Sequence, residues 1–197
     1  MTSSIIFEIP LAYLENQSTL PVLDISSAST PCKFRLIDCV QFLRQGTLAI
    51  HEFSEFPVLN SAYSTISYVW RGNSIENGSH LGPTFAVAGA EDGDPVSIGV
   101  LRHACTAADR EKVGYIWLDR LCIAQTNKDD KQWQIRHMFE IYQRCALCVV
   151  LPGGIQRLVH VHEPTSWISR GWTLQEALAP PRVEVIYAWD WGSGMFY

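Results

Sequence analysis

The stretch Ala146-Leu147-Cys148-Val149-Val150-Leu151 is wholly apolar and runs straight into Pro152-Gly153-Gly154. A strand with no polar face must be covered on both sides, as a central strand of a parallel sheet is. Parallel neighbours need long crossovers, normally helices, so this run points to an α/β architecture.

The rest of the chain supplies the other parts. Tyr63-Ser64-Thr65-Ile66-Ser67-Tyr68-Val69-Trp70 is rich in aromatic and β-branched residues, and Arg71-Gly72-Asn73 after it has turn chemistry. Tyr115-Ile116-Trp117-Leu118 reads as a further buried strand that delivers Asp119 to its carboxyl end, and Val183-Glu184-Val185-Ile186-Tyr187 as a fourth. Between them, Asp94-Pro95 opens a helix with Ile98, Leu101, Ala104, Cys105 and Ala108 on one stripe, stopped by Gly114. A second helix spans 128–144, capped by Thr126 or Asn127, with Trp133, Met138, Ile141 and Tyr142 inward; a third spans 169–178. This alternation predicts a three-layer α/β fold, an open, mostly parallel sheet flanked by helices, whose ligands bind beyond the carboxyl ends of the strands. Those ends are 70–73, 119–125 and 152–154.

Ahead of this core, Phe34-Arg35-Leu36-Ile37-Asp38 alternates like a strand and pairs with 47–53 as a small N-terminal β hairpin. Residues 1–31 show no sustained period and read as an extension, with the domain proper at 32–197. The Gly-rich stretch after Trp70 reads as a long surface loop.

Bulk properties narrow the function. A chain of 197 residues with 47% apolar content can bury one good core and has no room for a second ordinary domain. The net charge of -5 carries no basic block, so nucleic acid is not an expected partner. The N-terminus lacks signal-peptide features and no stretch reaches the ~18 to 20 apolar residues of a membrane span, so no membrane partner and a cytoplasmic location are expected. The six cysteines read as reduced thiols of such a compartment.

Three segments resemble the motif blocks of the fungal heterokaryon-incompatibility (HET) domain. They are 63–70; Ile116-Trp117-Leu118-Asp119-Arg120-Leu121-Cys122-Ile123-Ala124-Gln125 with Met138 and Ile141-Tyr142 downstream; and Trp167 with Arg170-Gly171-Trp172-Thr173-Leu174-Gln175-Glu176. They fall in order within about 60–190. The chain departs from the pattern at Arg71, which precedes Gly72 where the family places glycine directly after tryptophan, and at Ala124, where asparagine is usual. The resemblance implies a role in self/non-self recognition that ends in programmed cell death, through protein partners in trans and homo- or hetero-oligomeric assembly.

The HET domain in turn looks related to the TIR domain, whose enzymatic members cleave NAD with a glutamate in a Trp-Cys-x-x-Glu motif. Trp172-Thr173-Leu174-Gln175-Glu176 keeps the tryptophan-to-glutamate spacing, with Thr173 in place of the cysteine. The resemblance implies a TIR-like, Rossmann-like sheet and marks Glu176 as a catalytic candidate, with NAD as substrate and no cofactor. Cleavage of nicotinamide from ribose passes through an oxocarbenium-like cation that one carboxylate can stabilise. Trp172 and Glu176, at i and i+4, share a helix face. Tyr68 and Trp70, at the end of the first block, join the candidate substrate-binding set. Asp119 reads either as a ligand to ribose hydroxyls or as an acid that caps a turn or pairs with Arg120 or Arg170. Arg71 and Arg170 read as receivers of the diphosphate or as structural arginines. Glu176 has its own structural reading, a helix acid paired with Arg170 or Arg182. The alternative function is a non-catalytic signalling module that works by association.

Other constellations carry less. Cys145 and Cys148 have redox spacing but sit where a helix runs into a strand, and read as buried packing thiols. Cys122, with His103 and His137 elsewhere, lacks a nucleophile signature and also reads as core. His160-Val161-His162-Glu163 is the one metal-like cluster, read as solvated, so no metal is expected. Trp117, Trp133, Trp167 and Trp172 read as core or pocket walls, Trp189 and Trp191 as residues that dock the C-terminus or face a partner, and the apolar tail Met195-Phe196-Tyr197 as a cut edge.

Overall fold

The computed structural model describes residues 3–55, 63–75, 82–189 and 192–196; Trp191 and Tyr197 lie outside them. Along the chain run β1 (Ser3–Pro10), α1 (Leu11–Glu15), β2 (Val22–Leu23), β3 (Phe34–Asp38), β4 (Thr47–Phe53), β5 (Ser64–Tyr68), β6 (Thr84–Val87) and β7 (Val96–Ser97). After these come α2 (Ile98–Arg110), β8 (Tyr115–Trp117), α3 (Asp119–Cys122), α4 (Lys128–Arg144), β9 (Leu147–Leu151), α5 (Thr173–Leu178), β10 (Val183–Trp189) and β11 (Gly192–Phe196).

The main sheet has the order β1-β4-β3-β8-β5-β9-β10-β11, and β2, β6 and β7 form a separate small sheet. The apolar run at 146–151 is the strand it promised to be: β9 is buried along its whole length, between parallel β5 and β10. Within the main sheet, the parallel pairs of strands are those of the block β8-β5-β9-β10. The expectation of a mostly parallel sheet is therefore corrected to a mixed one. The cause is the N-terminal hairpin, which does not stand apart: β3 pairs antiparallel with β8, β4 with β3 and β1 with β4, while β11 closes the other edge antiparallel. Residues 3–31, expected as an extension, supply this edge strand, and Leu11, Leu14, Leu23 and Ile25 pack into the common core.

The helices follow from their sequence stripes. In α2 the residues Ile98, Leu101, Ala104, Cys105 and Ala108 are all buried. It starts later than Asp94-Pro95 suggested, because β7 intervenes and the Ser97 side chain accepts from the Val100 N–H as N-cap. Asn127 caps α4 in the same way, accepting from the Asp130 N–H. Trp133 on α4 is only half-buried, lying 4.2 Å from the His137 ring, while Gln134 takes the core position instead. The connection from β5 to β8 and that from β8 to β9 run in opposite directions across the sheet. Right-handed crossovers then put α2 on one face and α4 on the other, and α4 packs on α5.

Arg35 is a charged residue within the alternating strand β3, yet its side chain is fully buried beside an equally buried Asp130. The Arg35 Nη2 donates to Asp130 Oδ1 at 2.7 Å, and Nη1 donates to the carbonyls of Lys33 and Cys122, both at 3.1 Å. Asp130 also accepts from the N–H of Cys32 at 2.8 Å and of Ala124 at 2.9 Å. Without Asp130 the buried guanidinium would keep, among the described residues, only Glu52 as an acidic partner, 3.5 Å from its Nε and partly exposed, and breaking such a buried pair costs on the order of 3–5 kcal/mol. Asp130→Ala is therefore expected to lose about that much in denaturant unfolding, with Arg35→Met/Asp130→Leu recovering a substantial part. A loss below about 1 kcal/mol in the single variant would show that the pair contributes no more than a surface ion pair does.

Candidate functional site

The loops that leave β5 and β9 meet through glycines. A Cβ on Gly72 would sit 1.9 Å from the Gly153 carbonyl oxygen, and one on Gly154 would sit 2.8 Å from the Gly72 Cα. The Asn73 N–H donates to that same Gly153 carbonyl at 2.9 Å, so the loops after β5 and β9 lie backbone against backbone. Only glycine permits this approach.

Beside this junction opens a cleft of about 290 Å³, lined by Trp70, Asp119, Ile123, Gln125, Lys131, Ile135, Met138, Arg170, Trp172 and Glu176. Its members come from the ends of β5 and β8, from one face of α4 and from α5, so it stands at the carboxyl ends of parallel strands, as ligand sites of such sheets do.

Asp119 is the cleft's organiser. Its Oδ1 accepts from the Tyr68 hydroxyl at 2.6 Å and from the Arg120 N–H at 2.7 Å, and Oδ2 accepts from Trp70 Nε1 at 2.6 Å. Gln125 donates to the Asp119 carbonyl at 2.8 Å. Burial, then the charge of Asp119, holds the Tyr68 phenol well above its ordinary range, so it stays a donor. The Trp70 ring, fixed by Asp119, has the Arg120 guanidinium 5.6 Å and the Lys131 ammonium 5.9 Å from its centre.

Glu176, on α5, is buried to 5% exposure although it lines the cleft. Its Oε2 accepts from Ser67 Oγ at 2.5 Å and from Arg170 Nη1 at 3.2 Å, and Oε1 accepts from Arg170 Nη2 at 3.1 Å. Burial pushes its carboxyl above the usual range; the bonds from Ser67 and Arg170 pull the other way, and Asp119 adds to the rise. Trp167 Nε1 donates to Ser67 Oγ at 2.8 Å. An indole nitrogen can only donate, so the single Ser67 hydroxyl hydrogen is left for Glu176. Trp172 is half-exposed at the rim, rather than inward, because the expected helix at 169–178 breaks: a turn at Trp167–Ser169 precedes α5, which begins only at Thr173.

A profile of the heterokaryon incompatibility protein (HET) family matches residues 63–161, half of the chain. The chain belongs to the HET family. It is also 29% identical over 135 residues to the vegetative incompatibility protein HET-E-1 of Podospora anserina. That match covers 62% of this chain and 9% of the much longer relative. No solved structure matches it.

The HET domain's first two blocks thus meet in space through Tyr68, Trp70 and Asp119, and the third adds Arg170, Trp172 and Glu176. Arg71 is not brought to the cleft: its Nε donates to the Asp92 carbonyl at 2.6 Å on the exposed side. Ala124 does not line the cleft either; it is buried with its N–H on Asp130. Arg182 lies with Glu111 and Glu184, and the partner of Glu176 is Arg170.

The sequence reading passed over Ser67, Gln125 and Lys131 as site residues. Ser67 and Thr65 are polar residues in a strand destined for full burial, and that mismatch was the available signal. At the side constellations, all six cysteines are free and only Cys32 is exposed. Burial pushes the Cys122 thiol up to about 12 and the Cys145 thiol up to about 11, far from thiolate at neutral pH. Glu163 is held down at about 2, chiefly by the fork of Arg157, and also accepts from the His160 N–H at 2.7 Å.

The Ser67 bond favours the ionised form of Glu176, so removing it must raise that carboxyl further. In Ser67→Ala, an NMR titration of the Glu176 carboxyl is expected to show a higher midpoint than in the parent, with a smaller rise in Trp167→Phe. A native carboxyl above its unfolded value lowers stability as pH rises from the unfolded toward the folded midpoint, so this variant's loss should extend to higher pH. An unmoved midpoint would exclude Ser67 as its donor.

Proposed function

We propose that this HET-domain protein serves self/non-self recognition leading to programmed cell death, in the cytoplasm, by hydrolysing NAD in the cleft around Glu176. The observation that carries the reading is a desolvated carboxylate in the wall of a cleft at the carboxyl ends of parallel strands, with Trp172 beside it. The parallel block, whose first strand lies between its second and third, supports a TIR-like, Rossmann-like reading of this part of the sheet.

In this reaction the ribosyl C–N bond breaks and its electron pair leaves with nicotinamide, which departs neutral and needs no general acid. The ribosyl cation left behind is stabilised by the Glu176 carboxylate at short range in a partly dry site, where such attraction is strongest. Water then adds to the anomeric carbon and gives up a proton. Trp70 offers a ring face for a base or for nicotinamide, and Trp172 a second apolar wall. Asp119, filled by Tyr68, Trp70 and the Arg120 amide, acts by holding Trp70 in place.

A second reading, a non-catalytic module acting through association, is favoured by a different observation. Ile168, Leu174 and Leu178 are 74%, 69% and 73% exposed beside the half-exposed Trp172, an apolar group on the surface next to the cleft. Both readings require a protein partner in trans, a second copy or another chain, and neither uses nucleic acid or a membrane. No helix among the described residues is long and apolar enough to cross a membrane.

Incubating the concentrated protein with NAD and following nicotinamide release separates the two. Glu176→Gln, which keeps the shape and removes the charge, is expected to cut the rate at least about 100-fold, as loss of a principal charge-stabilising group does. In the parent, the rate should fall on acidification with a midpoint above the ordinary carboxyl value, because the ionised form does the work and burial raises its pKa. Release as fast in Glu176→Gln as in the parent would remove the catalytic assignment and leave the associative one.

A further inference from the structure

Arg170 holds Glu176 with both arms of its guanidinium, and it does so inside the cleft that a substrate would have to enter. The two partners are unequally covered: the Glu176 side chain is 6% exposed and that of Arg170 is 25% exposed. The carboxylate is anchored from behind by Ser67, which is itself fixed by Trp167, whereas among the described residues no other side chain holds the Arg170 guanidinium. If one of the two moves, it is the arginine. Across the same cleft Lys131, in the first turns of α4, rests its ammonium over the Trp70 ring, with no carboxylate recorded as its partner among the described residues.

We propose that Arg170 is an anion-operated latch: at rest it neutralises Glu176, and a phosphate-bearing ligand entering the cleft draws it away to its own oxygens, with Lys131 as the second cation. The inference rests on reading the cleft as a site for a dinucleotide, and it adds how that site switches on. The forked donors that fit a carboxylate fit a phosphate equally well, so the arginine exchanges one bidentate partner for another. The resting protein thereby keeps its buried carboxylate paired, which spares it the cost of a lone buried charge. The bound ligand supplies the replacement charge for Arg170 at the moment Glu176 must face a developing cation. Ligand and latch are coupled reciprocally: whatever loosens Arg170 from Glu176 must tighten the anion.

Inorganic pyrophosphate is the probe, since it carries the anionic group and cannot be hydrolysed at a ribosyl bond. Calorimetric titration of the full 197-residue chain is run on the parent, Glu176→Gln, Arg170→Gln and the double variant. Glu176→Gln is expected to bind pyrophosphate at least about fivefold more tightly than the parent, the lower end of ordinary site coupling. Arg170→Gln is expected to bind it more weakly, and in that background Glu176→Gln should bring no comparable gain. Equal tightening in both backgrounds would reduce the effect to loss of a nearby negative charge and overturn the latch. So would pyrophosphate affinity that ignores Arg170→Gln, or no binding in any of the four. Circular dichroism of each variant confirms that the comparison is between folded proteins. Nicotinamide release from NAD, measured beside it, reports separately on catalysis. A protein that shows the coupling without hydrolysis keeps the latch and loses the enzyme, and one that hydrolyses NAD without the coupling does the reverse.

Discussion

The buried pair of Arg35 and Asp130 is the fastener on which the rest of the molecule depends, because it joins parts of the chain that share no hydrogen-bonded ladder. Arg35 stands on β3, in the antiparallel half of the sheet, and Asp130 in the first turn of α4, on the crossover of the parallel half. Between them they also hold the carbonyls of Thr30 and Cys122 and the amides of Cys32 and Ala124. Taking two charges out of water is costly, and attraction alone does not reliably repay it. What the arrangement provides is geometry. The start of α4 has one place to sit, and with it the row Lys131, Ile135 and Met138 that forms one wall of the cleft. Fixing Ala124 likewise fixes Gln125, whose amide reaches back to the Asp119 carbonyl.

The opposite wall is set by a second constraint, the packing of loops that leave the parallel strands. The contact of Gly72 with Gly153 lets the ends of β5 and β9 meet. Arg120, fully buried, then donates to the carbonyls of Ala90 and Asp94, which draws the stretch before β7 onto the end of β8. Its guanidinium sits 5.6 Å from the centre of the Trp70 ring, whose indole N–H is already taken by Asp119. Trp70 is thus held at its edge and its face by groups from the second motif block. The two blocks thus depend on each other: each supplies what the other needs to stay in place.

Much of this was legible in the residues. The apolar run at 146–151, the stripe of α2 and the span of α4 are local signals, and each describes an element that exists as read. Tyr68, Trp70, Asp119, Arg170, Trp172 and Glu176 do gather at the strand ends, because the order of blocks along a parallel sheet dictates which loops are neighbours. The failures share one physical origin. Alternation in 34–38 does not reveal that Arg35 is buried, since periodicity weighs one strand at a time, and the partner that compensates the burial, Asp130, comes from nearly a hundred residues away. In 3–10 the strand is an edge whose partner, β4, decides its state, and the composition of an edge carries little period. Arg71 was placed at the ligand edge by adjacency to Trp70, but the chain turns after the strand and its side chain leaves on the Asp92 side.

Glu176 shows how little separates a structural acid from a reactive one. Burial disfavours its charged form, and a protonated carboxyl could neither hold Arg170 as an ion pair nor stabilise a cation. The Ser67 hydroxyl, with its one hydrogen directed by Trp167, offsets part of that penalty without blocking the cleft, because it approaches from the strand behind. Arg170 offsets more of it, but from the cleft side, where it occupies the space a substrate needs. A site built only for stability has no reason to prefer one donor fixed behind the carboxylate and another, more exposed, in front of it. A site that must stay charged when its front partner is drawn off does, since a bond from behind would go on favouring the ionised carboxylate through such an exchange. The asymmetry between Ser67 and Arg170 around one buried glutamate is therefore the feature of this chain that most favours chemistry over scaffolding.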